Sequence, residues 1–197
     1  MTERPPYVQL ERFRLTLELQ GTTHVDEDAR LALRAASDGL DEICGRSFGL
    51  ADDSNDEVRE FTPHRRSGCE VDDLAGITEV LVEGVEWTAA VDFKGWPLNA
   101  VAKGRPFTEL QAINGRAFPP GLVGGVQVTG RFGWPSVPSQ VEQATLILAA
   151  KLMLRARQAP FGFVLGGMDQ GGAARIARND PDVMFLIGPF MKATLLA

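Results

Sequence analysis

The sequence predicts an α+β protein in which an antiparallel β domain is inserted between helical segments. Three observations predict it. Residues 22–45 carry one helical apolar stripe. Residues 58–133 break into short β-branched or aromatic runs separated by turn residues. Residues 139–158 return to a helical period after Pro135 and Pro138. At 197 residues the chain fits one domain carrying an insertion, long enough to bury a core without disulfides or metals.

The first element, Tyr7 to Leu19, reads both ways. Val8, Leu10, Phe13 and Leu17 can line a helical face, yet Phe13, Leu15, Leu17 and Leu19 alternate with polar residues as a strand would. The period count leans toward strand. Thr22 or Thr23 then caps a helix whose first turn holds Asp26, Glu27 and Asp28, the sign a helix N-terminus favours. Its stripe is Val25, Ala29, Leu33, Ala36, Leu40 and Ile43, and Gly45 ends it. Residues 49–57, GLADDSNDE, lack the glycine and terminal spacing of a calcium loop and read as a solvated connection. Strands are expected at Val58–Thr62, Cys69–Val71, Ile77–Val82, Trp87–Phe93, Phe107–Ala112 and Gly125–Phe132.

The chain then turns at Trp134-Pro135 and Val137-Pro138, where each proline fixes its own φ and extends its neighbour. Ser139 and Glu142 have the spacing of a capping box. Nine of the eleven residues from Ala144 to Leu154 are apolar, which makes this helix central to a bundle or shared with neighbouring copies. It is too short, and too closely followed by Arg155 and Arg157, to span a membrane. Five glycines between Pro160 and Gly172 predict a loop, and Ala173–Asn179 a short helix. Asp180 as N-cap and Pro181 at the first position start another. Val183, Phe185, Leu186, Ile187, Phe190 and Met191 make this tail apolar, so it folds back on its own core or docks on a partner.

Charge and motifs exclude more than they assign. Net charge is −6, with 8 basic and 13 acidic residues in 51–134, so broad gripping of nucleic-acid phosphates is not expected. Cys44 and Cys69 stand apart with no metal spacing and read as free thiols. Met1 to Pro6 hold no apolar run, so a soluble protein without signal peptide, made in a cytoplasm, is expected. His24 and His64 have no metal-ligand companions. Asp72-Asp73 could supply paired carboxylates but reads as a turn, and Arg65-Arg66 reads as surface charge. Trp87, Trp96 and Trp134 read as core or loop anchors. No catalytic residue, cofactor or metal site is expected, and the absence of motifs points to a structural role.

The order of these pieces resembles the head–tail connector (adaptor) proteins of long-tailed bacteriophages and their prophages. The residues that carry the resemblance are AASDGLDEICGRSF (35–48), CEVDDLAGITEVLVEG (69–84), VTGRFGWPSVPSQVEQATLILAAKLMLRA (128–156) and DPDVMFLIGPF (180–190). The resemblance implies a small bundle of two N-terminal helices plus the central helix, making residues 7–19 helical. Residues 1–50 and 135–172 would form that bundle, 51–134 the inserted β domain, and 173–197 an extended C-terminal arm. It further implies a non-enzymatic virion subunit at the head–tail junction. A dodecameric homo-oligomer ring would bind the portal on one side and a stopper or tail protein on the other, while DNA passes without specific binding. Portal contacts would fall to Arg175, Arg178, Asp180, Asp182, Phe185, Leu186 and Phe190. Subunit contacts would fall to Leu146, Ile147, Ala150, Met153 and Leu154. The rivals are another neck component, such as a stopper or tail-completion protein, and a small hydrolase or ligand-binding domain around Asp72, Asp73 or His64.

Overall fold

A computed structural model describes residues 5–17, 23–51, 55–158 and 170–192. The chain is α+β and divides into two compact units. One joins Met1–Ser47 to Val137–Ala197, and the other is Phe48–Ser136.

The helical unit begins with α1 (Leu10–Thr16), so the first element is helix and not the strand that the alternation favoured. Tertiary docking overrides the local period. Phe13 is fully buried, whereas Leu15, which strand geometry would put on the same face, is 82% exposed. The docking is polar as well. The Tyr7 N–H donates to Ser37 Oγ, the Tyr7 hydroxyl donates to Asp41, and the Arg14 guanidinium lies 3.5 Å from Asp26. Helix α2 (Thr23–Cys44) runs as the stripe predicts, burying Ala29, Leu33, Ala36, Leu40 and Ile43. It ends at Gly45, whose φ of 63° is open to glycine at little cost.

Helix α3 (Ser139–Gln158) buries Val141, Ala144, Leu148, Ala149 and Leu152 against α2, α4 (Gln170–Arg178) and α5 (Pro181–Ile187). The helix that is apolar on nearly all sides is therefore buried mostly within its own chain. The expected capping box does not form. The N–H groups of Val141 and Glu142 both donate to Pro138, Ser139 Oγ meets the Gln140 side chain, and the Glu142 carboxylate pairs with Arg12 of α1. A charge-assisted bond to a guanidinium outcompetes a reach back to the helix start. Most of the predicted glycine loop lies outside the described residues, and its last two glycines, Gly171 and Gly172, belong to α4.

The C-terminal segment departs from the extended arm. Residues 170–190 form α4 and α5, broken at Asn179–Asp180 where Asp180 is extended, and close with a single 3-10 turn, Gly188–Phe190. Ala173, Ala174, Ala177, Val183, Ile187 and Phe190 are buried in the helical unit, and the Lys192 N–H donates to the Cys44 carbonyl. Apolar area at Val183 and Ile187 of α5, continued by Phe190 of the 3-10 turn, finds a complementary face on the same chain, and burial there outweighs exposure to water.

The β unit is one antiparallel sheet ordered β1 (Glu57–Phe61), β6 (Val126–Phe132), β2 (Gly68–Val82), β5 (Phe107–Ala112), β4 (Phe93–Trp96), with β3 (Val85–Glu86) pairing to β2. The two runs expected at 69–71 and 77–82 are one strand. Strand β2 pairs with β5 through Leu74, then with β6 from Leu74 to Val82, and register shifts around Leu74 absorb the change of partner. Asp72-Asp73 is thus inside a strand, not at a turn. Nor is 87–93 a strand. The Asp92 carboxylate accepts the Thr88 N–H and the Arg116 guanidinium, and closes a tight turn in which Ala90 has φ 64°. The core gathers Leu74, Val80, Leu110, Val128 and Phe132, and the rings of Trp87 and Phe118 lie 4.8 Å apart.

Candidate functional site

The residues expected to contact a partner lie on α3, α4 and α5, and the phase of each helix sorts them. On α5, Val183 and Ile187 turn inward, as does Phe190 of the 3-10 turn that follows. Phe185 points away at 85% exposure, with Leu186 half-buried beside it. Phe190 is a core residue. Asp180 is also committed inside the helical unit: its carboxylate accepts the N–H groups of Asp182 and Val183 as the α5 N-cap, as the sequence predicts, and pairs with Lys151 of α3. On α4, Arg175 and Arg178 are exposed, with Arg178 lying 3.5 Å from Glu42 of α2. Asp182 is exposed. On α3, Leu146 and Met153 are buried, Ile147 and Ala150 are half-buried, and Leu154 is 56% exposed. The stripe open to a neighbour is therefore Ile147, Ala150 and Leu154, at i, i+3 and i+7.

Sequence reasoning missed two features that fix this surface. Lys151 breaks the apolar run of α3 because it meets Asp180; a lysine 29 residues before an N-cap gives no local sign of pairing. Gly39, in the middle of α2, is buried against α4, where an added Cβ would lie 2.8 Å from Ala173 Cβ. The sign there was available. A glycine costs about 1 kcal/mol within a helix, so one placed in an amphipathic pattern and followed much later by Ala173-Ala174 marks a close approach.

Asp180 gives the surface a pH signature. Burial pushes its carboxyl up, but the Lys151 ammonium and the N–H groups of Val183 and Asp182 more than offset this, so the group titrates below the usual carboxylate range. A lowered folded-state pKa contributes stability above the unfolded value near 4, lost as pH falls through the lower folded value. Asp180→Asn keeps a good N-cap and removes the charge. It is expected to cost about 1–2 kcal/mol at pH 7, with the gap to wild type closing below about pH 4. Denaturant titrations at both pH values check this, and a pH-independent gap would show that the ion pair contributes nothing.

Of the groups weighed for catalysis, Asp72 and Asp73 are engaged in structure. Asp73 accepts the Trp134 indole N–H at 3.1 Å, and Trp134 packs 5.2 Å from Phe48. Asp72 pairs with Arg59, Arg65 with Glu109, and His64 is exposed. His24 lies where the side chain is outside the described residues. An open cavity of about 330 Å³ is lined by Glu83, Val85, Trp87 and Arg116, the last held 2.7 Å from Asp92. Both cysteines are free thiols, pushed up to about 12 chiefly by burial, and so protonated at neutral pH. Among the described residues, no three His, Cys, Asp or Glu are placed to hold a metal, and no helix is long and apolar enough to cross a membrane.

No family model matches the chain, and no curated protein matches it. Among solved structures it is similar to a chain of the "Neck of empty GTA particle computed with C6 symmetry", at TM-score 0.56 and 20% identity. The match covers 97% of this chain and 92% of that one. The likeness is one of fold. Its reach matters, because it takes in the helical unit and the inserted β unit together, without a large extra segment on either chain.

Proposed function

We propose that this chain is a structural subunit of the neck of a phage-like particle, a head–tail connector that forms a ring between portal and tail or stopper and lets DNA pass. The observation that carries the reading is the full-length fold likeness to a chain of a particle neck. That neck was computed with sixfold symmetry, which supports a symmetric ring of copies. The exposed Phe185, with Leu186, Arg175, Arg178 and Asp182 on the same two helices, serves as the portal face. Ile147, Ala150 and Leu154 of α3 serve as subunit contacts, and the function is assembly rather than catalysis. The acidic balance of residues 51–134 repels phosphates and lets DNA slide.

Deletion of residues 175–197 would strip Val183, Ile187 and Phe190 from the helical unit, so it confounds folding with attachment. Phe185→Ser separates the two. Its stability is expected to stay within about 0.5 kcal/mol of wild type, while co-sedimentation with portal-bearing, tail-less particles is lost. Full attachment by a folded Phe185→Ser protein overturns the portal face. The compact C-terminal helices also favour a second reading, in which the chain is a stopper or tail-completion protein without an arm to insert. Capture by the tail rather than by portal particles would decide for it.

A further inference from the structure

The β unit carries a second interaction surface, and its occupant is argued from charge. In the path β1–β6–β2–β5–β4 the outer strands are β1 and β4: among the described residues β1 pairs only with β6, and beyond β5 the only bridge to β4 is Ala89 to Phe93. The two edges differ in sign. At β1 stand Asp56, Glu57 and Glu60 against one base, Arg59, which is turned inward over the Phe132 ring. From Phe93 to Thr108 there is no acid, and Lys94, Lys103 and Arg105 are all exposed. Each edge also leaves large apolar side chains in water: Val58 on β1, and Trp96, Leu98 and Val101 at and just after β4.

Charges on edge strands ordinarily prevent pairing with other chains. Here their distribution selects among pairings. Two β1 edges would set acids against acids, and two β4 edges would set lysines against lysines, each a costly like-charge contact. Only β1 against β4 brings opposite signs together, with an aromatic and aliphatic centre inside a charged rim, the usual anatomy of an interface. Such a contact joins two different patches of the same chain and is therefore heterologous, the type that closes rings.

We infer that the β1 edge (Asp56, Val58, Glu60) of one copy docks on the β4 edge and following loop (Lys94, Trp96, Leu98, Lys103) of the next copy. The inference rests on the ring reading above and assigns part of its subunit contact to the β unit. Two full-length variants test it, Lys94→Glu/Lys103→Glu and Asp56→Lys/Glu60→Lys, all four positions being exposed and outside the core. Self-association is read by sedimentation velocity across protein concentration, and rings by electron microscopy of particle necks. Each variant alone is expected to associate at least about tenfold more weakly than wild type, and a 1:1 mixture to recover association because alternating copies restore both attractions. Wild-type association should also weaken with salt. If both variants associate as wild type does, the inference falls while the ring reading stands. Loss of DNA retention with association unchanged has the same consequence and assigns the basic loop to nucleic acid. If wild type forms no oligomer alone and no ring on necks, the ring reading fails and takes the inference with it.

Discussion

Gly39→Val is expected to destabilise the protein by about 3 kcal/mol and Gly39→Ala by about 1–2 kcal/mol. Two effects oppose each other at this position. Helix propensity favours the substitution, since alanine is better than glycine in a helix interior by about 1 kcal/mol. Packing opposes it, because the new Cβ would lie 2.8 Å from Ala173 Cβ, 3.0 Å from Ala174 N and 3.1 Å from Ala173 C. Two of those three atoms are backbone, so no rotamer change relieves the contact and α4 must move as a body. Packing wins, and valine adds a β-branch that the helix also disfavours. In a chain of this size 3 kcal/mol corresponds to a fall of about 6–12 °C in Tm. Thermal melts check this, and hydrogen exchange should localise the loosening to α4. An alanine variant at least as stable as wild type would show that α4 does not sit against Gly39.

The elements legible in the sequence are those whose cause is local. The α2 stripe from Ala29 to Ile43, the β5 run Phe107–Ala112 and the Asp180-Pro181 helix start each declare themselves within a few residues, and all three form as read. The misread elements depend on partners far along the chain. Residues 7–19 alternate like a strand, but Phe13, Tyr7 and Arg12 are claimed by α2 and α3, and the strand reading loses to that docking. Strand β2 is continuous because its partner changes at Leu74, which periodicity cannot register. The 88–92 turn is held by Arg116, 24 residues away from Asp92.

The candidate site divides the same way. An apolar tail was legible, and the sequence left open whether it folds back or docks. The separation of Phe190, buried, from Phe185, exposed, depends on how α5 is phased against α3, a fact of tertiary packing. The α3 set divides by the same rule. Leu146 and Met153 face the core while Ile147 and Leu154 do not, although all four are equally apolar in the sequence.

Gly133→Ala is expected to be the most damaging single change in the β unit, costing about 3–5 kcal/mol. Gly133 has a φ of 108°, a region that a residue with a Cβ adopts only under strain. An added Cβ would also collide with the Gly49 carbonyl and lie 3.0 Å from Leu50 Cα. That carbonyl cannot retreat freely, because it accepts the Trp134 N–H, while the Gly133 N–H donates to Asp73 and the Ala51 N–H to Phe132. The first and last residues of the unit are thus stitched together at this point, and the Trp134 indole on Asp73 closes the same knot. Relieving the clash means breaking bonds that leave buried polar groups unpaired, each at a further cost of about 1–3 kcal/mol. Gly121→Ala supplies the control: its φ of 76° imposes similar backbone strain, but no atom lies within 4 Å of an added Cβ. It should cost only about 1 kcal/mol. The difference between the two variants, read from urea unfolding followed by tryptophan fluorescence, isolates the close approach from the backbone angle. Equal losses would mean that strain alone accounts for Gly133 and that the 49–51 and 132–134 segments are not clasped.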